Sequence, residues 1–377
     1  MTIALTRRNL LTTALAAAAA APLAGAGRGW AASPGPARLT LPRPTGPHPI
    51  GTATLHLVDG KRQLMAGVWY PAVGDLRRHP VAPWMAATPL RALLADNGFD
   101  PDIAGPLTAG HAGAAALPAR APVVVYSHGA GGHRSETTIV VQELASHGYV
   151  VVTVDHAYDS YTELPGGRLV VPDDDRSVTP WDHAHDIRFV LDRVGDLAAG
   201  RNPDAERRPL PPGLGAALDP GRIGMFGWSK GATATALVMH EDRRVRAGLS
   251  LDGPMESAPR PADLDRPFML MSAQFTRAEE PVEEFWSLLH GWRLNVQAEG
   301  APHTGYCDHQ WLIPQAARSM GMSDEELENW IGTLDPARAV RIQRAYPLAF
   351  FDLHLRGRRQ RLLEGPSAAF PEVRFMG

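Results

Sequence analysis

Gly227-Trp228-Ser229-Lys230-Gly231 decides the reading of this chain. Residues 222–226 before it read as a strand, and residues 232–240 after it read as a helix. A G-x-S-x-G match is weak alone, but a strand before it and a helix behind it give it meaning. A serine on so sharp a turn is held in a strained backbone conformation. Glycine on either side leaves room where a Cβ would strike neighbouring backbone. The turn lifts the Ser229 hydroxyl clear of the sheet, at the positive end of a helix. Ser229 is therefore the candidate nucleophile.

Apolar runs alternate with helical patterns on both sides of this turn. Strands are expected at 122–126, 149–154, 247–251, 267–272 and 293–297. Helices are expected at 136–147, 183–197 and 282–290, with a last one over 336–355 kinked at Pro347. Earlier, 52–58 and 64–70 read as a pair of strands about Asp59-Gly60. The proline-rich stretch 75–120 is irregular, apart from a short helix over 90–97. The alternation predicts an α/β fold, a mostly parallel central sheet with helices on both faces. No linker-like stretch divides it, so residues 33–377 are expected to form a single domain.

A serine nucleophile attacking a carbonyl needs backbone N–H donors aimed at the oxygen that becomes charged. One is the residue after the nucleophile, Lys230. The other belongs in a loop after an earlier strand, where Ser127-His128-Gly129-Ala130-Gly131-Gly132 places the Ala130 N–H. His128 reads as a brace for that loop, and the Lys230 side chain as outward-pointing or salt-bridged. In such folds the acid and then the base follow the serine. Asp252 comes directly after the strand at 247–251, with Asp263 and Asp265 as alternatives. His303 comes soon after the strand at 293–297; His309 is its rival, and His290 precedes that strand. His303 would take the proton from Ser229 while Asp252 fixes its tautomer. Trp228, beside the nucleophile, is a candidate substrate-binding residue, and Asp308 reads as a loop brace.

Composition narrows the remaining classes. With 37 basic and 40 acidic residues the net charge is −3, unlike a nucleic-acid binder. Only Lys61 and Lys230 among the basic residues are lysines. The single cysteine, Cys307, forbids an internal disulfide and reads as core filler rather than a nucleophile. His183 and His185, two apart on a helix, point to different sides, so no metal site is expected there. Thr6-Arg7-Arg8 followed by the alanine-rich run to Ala26 resembles a twin-arginine export signal, within residues 1–32. Thr12, Thr13, Pro22 and Gly25 make that run too weakly apolar for a stable membrane span. A secreted or periplasmic protein is expected.

Taken together, these motifs resemble the platelet-activating factor acetylhydrolase-like branch of the α/β-hydrolases. The likeness runs from Leu41-Pro42-Arg43-Pro44-Thr45-Gly46-Pro47 and Val68-Trp69-Tyr70-Pro71 through Tyr126-Ser127-His128-Gly129 and Val154-Asp155-His156. It continues in Leu251-Asp252-Gly253-Pro254-Met255, His303-Thr304-Gly305-Tyr306-Cys307-Asp308 and Ala349-Phe350-Phe351-Asp352. The resemblance implies a serine esterase or lipase acting on small-molecule or lipid carboxylic esters, without a cofactor. It implies a triad of Ser229, Asp252 and His303 and an oxyanion hole at Ala130 and Lys230. Many relatives carry histidine before the serine where this chain has Trp228, which bears on the acyl group preferred. The alternatives are a non-catalytic binding protein on the same fold, or a hydrolase of polyesters, lactones or amides.

Overall fold

The computed structural model describes residues 38–377; the expected export signal lies outside them. The chain opens with a hairpin, β1 (Ile50–Asp59) and β2 (Arg62–Pro71), whose turn carries the exposed Lys61. A short strand β3 (Val81–Pro83), helix α1 (Ala87–Asp96) and strand β4 (Leu107–Ala112) follow in the stretch expected to be irregular. Then come β5 (Ala121–Ser127), α2 (Thr138–Ser146), β6 (Val150–Asp155) and a small separate hairpin, β7 (Thr162–Leu164) with β8 (Arg168–Val170). Helices α3 (Pro180–Ala198) and α4 (Leu214–Ala217) lead to β9 (Leu218–Trp228), α5 (Lys230–Glu241), β10 (Val245–Leu251) and β11 (Phe268–Ser272). The chain continues through α6 (Glu280–Ser287), β12 (Arg293–Ala298), α7 (His309–Met320), α8 (Asp324–Ile331), α9 (Pro336–Arg356) and β13 (Val373–Phe375). The last long helix runs on through the buried Pro347.

Eleven of these strands form one sheet in the order β13-β12-β11-β10-β9-β5-β6-β2-β1-β4-β3. Its centre, from β12 to β6, is parallel; antiparallel pairings are confined to the flanks. Central strands have no solvent-facing side, so they read as continuous apolar runs rather than alternating ones. Strand β5 divides its side chains between the faces. Val123 and Val125 pack with α3, α5 and α6 residues such as Ile187, Leu237 and Phe285. Val124 and Tyr126 pack with α2 and α9 residues such as Val141, Leu144 and Phe351. Helices on both faces of a mostly parallel sheet are the architecture expected from the sequence.

Register brings three strand ends level. Ser127 lies opposite Gly227, and Trp228 lies opposite Leu251. The loop after β5, the turn after β9 and the residue after β10 therefore meet at one edge, outside the carboxyl ends of the parallel strands. Among the described residues, no helix is long and apolar enough to cross a membrane.

Candidate active site

Ser229 begins α5 with φ +55° and ψ −123°, a region that side-chain-bearing residues rarely enter. Two close approaches hold it there. A Cβ on Gly227 would lie 2.1 Å from the Gly231 carbonyl carbon, and one on Gly231 would lie 2.1 Å from the Ser127 carbonyl oxygen. The turn therefore closes only with glycine at both positions, and Gly231 lets α5 touch the loop after β5. The Ser229 N–H donates to the Leu251 carbonyl at 3.0 Å, fastening the turn to the neighbouring strand end.

Asp252 follows on that strand end, also at positive φ (+48°), with its carboxylate buried. One oxygen accepts from the N–H groups of Ala273 (2.7 Å) and Phe275 (2.9 Å). The other accepts from the Gln274 N–H at 3.1 Å and lies 2.6 Å from Nδ1 of His303. Three backbone donors and one imidazole fix the acid in place. His303 starts a single 3₁₀ turn, anchored by Tyr306, whose hydroxyl donates to the Ser272 carbonyl at 2.9 Å and accepts from the Ala298 N–H at 3.1 Å.

Trp228 joins the two halves. Its indole stacks on the His303 ring at 4.6 Å and 28°, and its Nε1–H donates to the His303 carbonyl at 3.0 Å. Phe275 meets the same imidazole edge-on at 5.3 Å. Trp228 is only 8% exposed, so its main contact is with His303. Ser229 and His303 share no hydrogen bond among the described residues, although both flank the same indole.

The loop after β5 turns at Gly129–Gly132 and leaves Ala130 exposed. A buried carboxyl beneath it, Glu136, accepts from the Gly129 N–H at 3.1 Å and the Tyr126 hydroxyl at 3.3 Å. Burial pushes Glu136 up to about 8. His128 is fully buried, and its Nε2 accepts from the His156 N–H at 3.0 Å, consistent with a brace. The Lys230 ammonium is salt-bridged to Asp159 at 2.8 Å.

The competing residues make other contacts. Asp263 and Asp265 pair with His290 and Arg243 near the surface. His309 is half-buried and meets the Trp228 ring edge-on at 6.3 Å, its imidazole driven down to about 4 by burial. Cys307 is buried core, its thiol driven up by burial. Asp308 accepts from the Thr138 and Ile139 N–H groups at 2.9 Å each and from the Trp84 indole at 2.8 Å. It thus caps α2 across 170 residues and ties the histidine loop to it. His183 faces Asp159, while His185 lies beside Trp181. Sequence reasoning missed Asp159 and Glu136. The Asp159 signal was faint, a single carboxylate just past Val154-Asp155-His156; Glu136 was hidden inside an expected helix.

A family model described as platelet-activating factor acetylhydrolase, isoform II, matches residues 35–163. A solved ferulic acid esterase from Streptomyces cinnamoneus superposes with a TM-score of 0.78 and 35% identity, covering 90% of this chain and all of that one. A probable 1-alkyl-2-acetylglycerophosphocholine esterase of Arthroderma benhamiae is 25% identical over 68% of this chain, a match spanning 66% of that protein's length. The platelet-activating factor acetylhydrolase of Cavia porcellus is 22% identical over 76% of this chain and 74% of its own.

Proposed function

Because this chain belongs to the platelet-activating factor acetylhydrolase-like branch of the α/β-hydrolases and is a serine ester hydrolase, we propose that Ser229, Asp252 and His303 are its catalytic triad, with Ala130 and Lys230 donating to the oxyanion. The 2.6 Å Asp252–His303 bond beside a strained Ser229 carries this reading.

The reaction runs through an acyl-enzyme. His303 Nε2 draws the proton from Ser229 Oγ as the oxygen attacks the ester carbonyl; this hydrogen bond forms as substrate seats. The tetrahedral oxyanion is held by the Ala130 and Lys230 N–H groups. Collapse expels the alcohol, which receives the proton from His303. Water, activated by the same imidazole, then releases the acid and restores Ser229. Asp252, held by three backbone N–H groups, keeps Nδ1 protonated and stabilises the imidazolium.

The substrates are esters with short acyl chains, lipid esters included, and the protein is exported as a single folded domain. A hydroxycinnamoyl acyl group is the second reading. It is favoured by the aromatic side chains at the His303 ring and by the activity of the solved Streptomyces relative.

The test combines labelling and turnover. A fluorophosphonate probe should label the wild type and leave Ser229→Ala unlabelled, and the variant should lose roughly 10⁴-fold or more of p-nitrophenyl acetate turnover. Equal labelling of both proteins would remove Ser229 from the mechanism. p-Nitrophenyl esters of graded length, run beside methyl ferulate, separate the two acyl readings.

A further inference from the structure

Beneath the proposed oxyanion hole lies a buried ionic cluster that the triad does not use. Its centre is Asp159, 7% exposed, in the loop after β6. One carboxylate oxygen accepts from the Gly131 N–H at 2.8 Å. The other accepts from the Lys230 ammonium at 2.8 Å and lies 2.8 Å from Nε2 of His183. Lys230 also donates to the Val178 carbonyl at 2.8 Å. Behind it, His183 stacks on His156 at 3.7 Å, and His156 lies 2.8 Å from the Ser127 hydroxyl at the end of β5.

The positions of these partners matter more than their number. Gly131 directly follows Ala130, and Lys230 is itself the other donor residue. One rigid carboxylate therefore grips the two chain segments whose N–H groups must converge on a single oxygen. We propose that Asp159 is a positioning residue that sets the spacing of the two oxyanion donors, holding Gly131 through one oxygen and the Lys230 side chain through the other. The inference rests on the assignment of Ala130 and Lys230 as donors.

The charge state suits the task. Burial alone would raise the Asp159 carboxyl, but the His183 hydrogen bond and the Lys230 charge bring it below the ordinary range. Buried ion pairs are often replaceable by apolar groups without loss of stability. A pair kept here is better explained by geometry than by stability. Donors displaced by about an ångström forfeit up to about a hundredfold in rate.

The experiment compares full-length wild type with Asp159→Asn, Lys230→Met and Lys230→Arg. Active sites are counted with a fluorophosphonate. Turnover of p-nitrophenyl acetate and inhibition by a boronic acid, which forms a tetrahedral adduct on serine, are then measured per active site. Asp159→Asn and Lys230→Met should each lose roughly 10- to 100-fold in kcat with KM within about twofold. Boronate affinity should fall in parallel, and Lys230→Arg should recover most of both. Should Asp159→Asn fail to fold, Lys230→Met decides alone. Wild-type kcat per titrated site in the two variants, or losses explained wholly by fewer titratable sites, would overturn the proposal. A Ser229→Ala control separates the failures. An inactive control beside fully active Asp159 and Lys230 variants refutes only the positioning role, and an active control removes the triad beneath it.

Discussion

Trp228 shows what a single side chain contributes to the site. His303 sits at the start of one 3₁₀ turn, a short element with little rigidity of its own. Asp252 holds Nδ1, but a ring held at one atom can still pivot. The indole of Trp228 stacks along one ring face and its N–H clamps the His303 carbonyl, removing that freedom. Trp228→Ala should therefore lower kcat for p-nitrophenyl acetate roughly tenfold with little change in KM, because it disturbs orientation rather than binding. Trp228→His, which keeps an aromatic ring and a ring N–H, should retain more. A Trp228→Ala enzyme with raised KM and intact kcat would instead make Trp228 a substrate contact. The residues proposed as nucleophile, acid and base stand out in the sequence, because each follows the end of a strand where the chain turns. The Trp228 contact with His303 was not legible. It depends on the distance between residues 75 apart, which no local pattern encodes.

At the level of elements, α2 depends on a cap from far along the chain. Its own preceding residue, Thr137, makes no side-chain cap, and Asp308 supplies both oxygens instead. Asp308→Ala would leave two helix N–H groups and the Trp84 indole without an acceptor inside the protein. The expected loss is about 3 kcal/mol of unfolding free energy, read from urea melts. Asp308→Asn, which keeps one acceptor oxygen, should lose less. The central strands and the helices between them could be read directly, since strands buried on both faces carry unbroken apolar runs. The short strands β3 and β4 and the β7–β8 hairpin could not, for they are brief, and β3 and β4 sit among glycines, prolines and histidines. Helices α7 and α8 went unread for different reasons. Pro314 interrupts the first pattern, while Ser323 and Glu326 form a reciprocal cap at the second that the sequence displays plainly. Pro347 lies within α9, whose helical span runs unbroken from Pro336 to Arg356 and packs into the core.

Across the whole molecule, buried ionisable groups set how stability responds to pH. Burial lifts the carboxyls of Glu136 to about 8 and Asp308 to about 7, so the folded state keeps protons that the unfolded chain releases near 4. Burial lowers the imidazoles of His309 and His354 to about 4, so below about 6.5 the unfolded chain binds the extra protons instead. The two effects oppose each other between about 4 and 6.5. From about 6.5 to 8 only the carboxyls act, and stability falls as pH rises, by on the order of 1 kcal/mol per unit. Glu136→Gln should flatten that slope in thermal melts recorded from pH 6.5 to 8.5. An unchanged slope would show that Glu136 is already ionised in the folded protein. The scarcity of lysine has a practical consequence on the same scale. The Lys230 amine is engaged by Asp159, which leaves Lys61 as the open side-chain amine among the described residues. The β1–β2 turn lies near the end of β6 that carries Asp155, on the same rim as the strand ends around Ser229. Coupling to an activated resin would therefore seat the molecule mouth-down. Exchanging Lys61→Arg for Arg120→Lys, a well-exposed site where β5 begins, would turn the immobilised enzyme to face the bulk solution.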